Sequence, residues 1–166
     1  MSLALAAVGA ALAALIQSTT IPFVAGGAAE LNLVLVLAIV WTMVAGLEGG
    51  LVCALVGGLI VDVLLMRPLG LTALVLTLAV GAAWLMSRVA SRAIYPAIVI
   101  AALVLAPAAS VLTDLALGVL TGAPSPEPFA DAFAAAIVNG VLAAVLGALA
   151  VLINSRLHPA PERADW

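Results

Sequence analysis

The chain has 166 residues, of which 67% are hydrophobic and only 8% charged. Ordinary globular proteins are about half apolar and about a quarter charged. A soluble core of this size cannot hide so many apolar side chains, which excludes a soluble enzyme, a disordered tail and a disulfide-stapled secreted domain. Several apolar runs reach the ~18 to 20 residues that cross a bilayer. The expectation is an all-α integral membrane protein with no extramembrane domain. The net charge of −3 gives no basic surface for nucleic acid. Cys53 is the single cysteine, so neither a disulfide nor a cysteine-based metal site can form within one chain.

In chain order, the first run covers about 3–21 and ends at Gln17-Ser18-Thr19-Thr20 before Pro22. A signal peptide would need a basic leading region, and none is present, so this run is expected to stay as a helix. A glycine-containing stretch, Phe23 to Glu30, leads to a second run over 31–46. A tight break is expected at Glu48-Gly49-Gly50, where glycines suit a turn. The third run covers 51–66 and stops at Arg67-Pro68-Leu69-Gly70; the fourth covers 71–87. The fifth, 95–121, carries Pro96 where a first helical turn tolerates it, and Pro107 inside, where a lost hydrogen bond should kink the helix. Three prolines and two acids over 122–131 read as a surface loop. The last run is 132–153, and a polar tail follows to Trp166.

Six spans with both termini inside satisfy the arginine distribution. Arg88, Arg92, Arg156 and Arg163 then flank the cytoplasmic ends, and only Arg67 lies outside. Trp41, Trp84 and Tyr95 fall toward the inner ends, where amphipathic rings prefer to sit.

Catalytic motifs are absent: no GxSxG, HExxH, P-loop or dinucleotide fingerprint is found. The one histidine, His158, lies in the tail beside Pro159. No enzyme, cofactor or metal centre is expected. The informative residues are polar groups inside spans, each costing ~2.5 to 3.5 kcal/mol when charged and central. Asp62 and Asp114 lie near the outer ends of the third and fifth spans, and Asn139 reaches a similar depth in the sixth. Together with Arg67 they are expected to form one polar cluster in the outer half, either locking helices together or holding a small polar ligand. Small residues at Ala6, Ala10 and Ala14, with Ala7 and Ala11 beside them, permit close helix approach. Gly57 and Gly58 are expected at a helix crossing, and Gly140 and Gly147 in the last span at similar contacts.

The segment Gly57-Gly58-Leu59-Ile60-Val61-Asp62-Val63-Leu64-Leu65-Met66-Arg67-Pro68-Leu69-Gly70-Leu71 resembles the glycine-rich "G-L-x-x-D…P-L-G" segment of the rod shape-determining protein MreD family. Length, six apolar runs and short loops are similar to that family across the chain. Gln17 and Ala29-Glu30-Leu31 resemble its early pattern, with Ala-Glu-Leu where Pro-Asp-Leu would stand. The resemblance carries over only to Gly58, Asp62, Pro68, Gly70 and Glu30, in structural or interfacial roles. It implies a fold related to the substrate-binding subunits of energy-coupling-factor transporters. It also implies a non-enzymatic subunit of the bacterial cell-elongation machinery in the inner membrane. The partners it implies are a single-span MreC-like protein and, through it, actin-like MreB filaments and the peptidoglycan polymerase complex of a penicillin-binding protein and a RodA-type glycosyltransferase. The competing expectation is a substrate-binding subunit of a vitamin-type transporter. A flat ring would want aromatic neighbours, and the tryptophans and Tyr95 fall at the other end from Asp62.

Overall fold

A computed structural model describes residues 3–24, 31–89, 94–122 and 128–157. The described residues form six α-helices and no strand: α1 (Leu3–Val24), α2 (Leu33–Ala45), α3 (Leu47–Leu64), α4 (Leu71–Val89), α5 (Ile94–Thr121) and α6 (Pro128–Leu157). Three stretches, Leu47–Leu64, Leu71–Val89 and Tyr95–Thr121, are long and apolar enough to cross a membrane. α1, α2 and α6 contribute shorter apolar stretches.

α2 is the centre. It packs against every other helix, and Val34, Leu35, Val36, Ala38, Ile39 and Val40 are buried. Around it the neighbours run α1, α3, α4, α5, α6, each touching the next. Among the described residues α1 and α6 make no contact, so the ring is open on one flank of α2. The α2 side chains Leu33, Leu37 and Val44 are only partly buried. They share one stripe of the helix, and Leu37 within it rests on Gly9 of α1. Exposed aliphatic side chains coat the outside of the bundle, including Leu5, Val8, Leu12 and Ile16 of α1.

Small residues set the close contacts. Ala6, Ala10 and Ala14 of α1 are buried, and Ala10 meets Gly57 of α3. Along α3, a side chain at Gly49 would strike Trp41, one at Gly50 would strike Thr42, and one at Gly57 would strike Val34. Gly58 faces the other way, and a Cβ there would overlap the backbone of Ala73 in α4. Gly140 and Gly147 of α6 receive Leu103 and Ile98 of α5.

The turn between α2 and α3 differs from expectation. The chain breaks at Gly46, with φ +104, and Glu48-Gly49-Gly50 belong to the first turns of α3. Gly46 takes the left-handed backbone that a one-residue turn requires. Glu48 then sits where a helix amino end favours an acid, and the two glycines serve packing against α2. α6 likewise begins at Pro128, four residues before the expected start, because proline suits a first helical position. α5 continues through Pro107 as one helix.

Candidate functional site

Two helices have their amino ends held by side chains from other helices. The first few N–H groups of a helix have no partner within it. Burial without an acceptor would cost ~1 to 3 kcal/mol for each.

At α4 the acceptor is Asp62 of α3, which is fully buried. Its carboxylate accepts the Gly70 N–H at 2.8 Å and the Thr72 N–H at 3.1 and 3.2 Å. Gly70, at φ +91, bends the chain so that these donors converge. Pro68 contributes its carbonyl, which accepts the Leu71 N–H at 3.3 Å. The negative charge also lies at the positive end of the α4 dipole. The Thr72 hydroxyl is buried beside this cap with no hydrogen-bond partner.

At α2 the caps are amides. Asn32 caps its own helix, its side-chain oxygen accepting the Leu35 N–H at 3.0 Å. Gln17 of α1 accepts the Val34 N–H at 3.1 Å, and Asn139 of α6 accepts the Asn32 N–H at 2.7 Å. Asn139 is completely buried. Val34 and Ala73 pack on the successive glycines Gly57 and Gly58, so both amino ends lie at one level of α3. That level is seven residues, or ~10 Å, below the α3 carboxyl end.

The single cluster expected from the sequence is therefore divided. Asp62 sits on α3 and is bound to the α4 backbone, whereas Asn139 is bound to α2. Asp114 is half-buried on α5. Among the described residues α3 touches neither α5 nor α6, with α2 and α4 lying between. No described acid pairs with the Arg67 guanidinium; the Arg67 N–H instead binds the Asp62 backbone carbonyl at 2.9 Å. Glu30 lies outside the described residues. Asn32, Gln17 and Thr72 complete the caps that the depth argument overlooked. Asn32 carried a legible signal, an asparagine directly before an apolar helical run.

Three further buried hydroxyls bond locally, whereas the buried Ser18 hydroxyl, like that of Thr72, has no hydrogen-bond partner. Ser110 and Thr113 hydroxyls donate to the carbonyls of Ala106 and Ala109, and Thr42 donates to Ala38. At the other end of the bundle the Arg88 guanidinium stacks 4.5 Å over the Trp84 ring, and the Tyr95 hydroxyl donates to the Ala144 carbonyl.

This architecture defines the class: an all-helical bundle with helices suited to a membrane, its polar groups spent largely on helix ends. No family model, curated protein or solved structure matches the chain.

Removing the Asn139 amide tests the α2 cap. Asn139→Ala is expected to lose ~1 to 3 kcal/mol, because it strands the Asn32 N–H and opens a small void. Detergent-titrated unfolding, followed by circular dichroism, measures the loss. Unchanged unfolding would remove Asn139 from the cap.

Proposed function

We propose that the chain is a non-enzymatic, six-span scaffold subunit of the bacterial cell-elongation machinery, with both termini on the cytoplasmic side of the inner membrane. The observation that carries this reading is the open flank of α2 between α1 and α6. A central helix only partly buried at Leu33 and Val44 offers one more helix a place in the ring. A single-span MreC-like protein supplies one helix. The MreD-like segment supports the same reading. Gly58 and Asp62 hold α3 to α4, and Gly70 shapes the turn, so these positions keep the hairpin rigid while a partner is engaged. Through that partner the chain would help regulate the peptidoglycan polymerase.

A second reading, a substrate-binding subunit of a small-molecule transporter, is favoured by one observation. Buried Asp62 and the unpartnered Thr72 hydroxyl lie side by side near one end of the bundle.

Co-purification from native-like membranes, followed by mass spectrometry, separates the two. The scaffold reading expects a stoichiometric single-span protein with an extracytoplasmic domain. An ATPase module or a retained vitamin in its place would overturn it.

A further inference from the structure

The turn between α3 and α4 holds an unusual residue. α3 closes with the paired hydrogen bonds of a Schellman motif, Arg67 N–H to the Asp62 carbonyl and Met66 N–H to the Val63 carbonyl. The position between the helix cap and Arg67 takes a left-handed backbone, usually supplied by glycine. Here it is Met66, at φ +52. Met66 is 96% exposed and Leu69 73%, with Leu65 also exposed. A methionine standing free in water would gain nothing to offset the strained backbone.

The surface leading to this tip shows what surrounds it. Leu55, Leu59 and Val63 of α3, with Leu74 and Leu78 of α4, form an exposed apolar face. It runs up to Met66 and Leu69 without an intervening polar belt. α3 and α4 are both long and apolar enough to cross a membrane. At 18 and 19 residues they measure ~27 and ~28 Å, close to the ~30 Å hydrocarbon thickness. The tip therefore falls at the hydrocarbon edge. Arg67 follows directly, without an acidic partner among the described residues, on a stem long enough to leave its apolar neighbours for the phosphate layer.

We propose that the α3–α4 turn is a lipid anchor: Leu65, Met66 and Leu69 enter the acyl boundary, and Arg67 binds a phospholipid phosphate. The proposal rests on the membrane-spanning part of the functional reading and on no protein partner.

The test uses the full chain in nanodiscs of phosphatidylglycerol and phosphatidylcholine, with Cys53→Ala as background. Spin labels are placed on Met66→Cys, Leu69→Cys and, as a mid-helix reference, Leu59→Cys. Collision with oxygen is expected to exceed collision with a water-soluble nickel chelate several-fold at all three positions. Nickel-dominated collision at residues 66 and 69, with the reference still in lipid, overturns the anchor alone. Suppression of both collisions at the tip shows a protein cover and also overturns it. Nickel-dominated collision at residue 59 overturns the membrane-spanning reading itself. In native mass spectrometry, Arg67→Gln is expected to retain several-fold less phosphatidylglycerol; equal retention removes the phosphate contact.

Discussion

Asp62→Ala is expected to destabilise the chain by about 2 to 4 kcal/mol, since a buried and a partly buried backbone N–H lose their acceptor. Asp62→Asn keeps one acceptor oxygen but turns a donor toward the α4 amino end and gives up the charge, so it should lose less. The order wild type, Asn, Ala in detergent-titrated unfolding is the signature of a cap. Amide hydrogen exchange adds a local readout, because Thr72 should lose protection in the alanine variant before the bundle opens. If the alanine variant unfolds with the wild type, the carboxylate does not hold α4.

The second large effect belongs to Gly58. A Cβ at this position would overlap the backbone of Ala73, which cannot rotate aside as a side chain would. Gly58→Val should therefore lose about 3 kcal/mol or more by forcing α3 and α4 apart. Gly81, in the middle of α4, has nothing within 4 Å of the same added atom. Gly81→Ala is expected to gain about 0.5 to 1 kcal/mol through helix propensity alone. Thermal aggregation midpoints of the two variants in one detergent give the comparison. Equal midpoints would mean that α3 and α4 do not approach as closely as the structure has them.

Much of the helical architecture was legible because the apolar runs are long and few residues interrupt them. All six helix starts lie within four residues of the run starts read from the sequence, with Leu3 and Leu71 matching outright. α3 and α6 are the furthest off, at four residues each; in α3 the cause is that Glu48-Gly49-Gly50 looks like a turn but lies in the helix. Sequence cannot tell a glycine chosen for its backbone freedom from one chosen for its missing side chain; the neighbours Trp41 and Thr42 decide it. The polar site was legible residue by residue but not as an arrangement. Depth along a span placed Asp62, Asp114 and Asn139 near one level, yet depth says nothing of which helices adjoin. α2 and α4 stand between α3 and the α5–α6 pair, and that fact is tertiary. Asp62 also looked like a partner for Arg67, five residues on. A helix end offers a buried carboxylate backbone donors that need no flexible side chain to be ordered, and the turn at Gly70 brings them to it.

The shortness of α2 bears on how the chain is assembled. Thirteen residues measure ~20 Å, well short of the ~30 Å of hydrocarbon that a lone helix would have to cross. Its amino end takes one support from Gln17, made just before it, and another from Asn139, which is synthesised 107 residues after Asn32. One of the outside acceptors at the α2 amino end is therefore absent from the chain until the last helix has been made. The final helix is what makes the innermost one permanent.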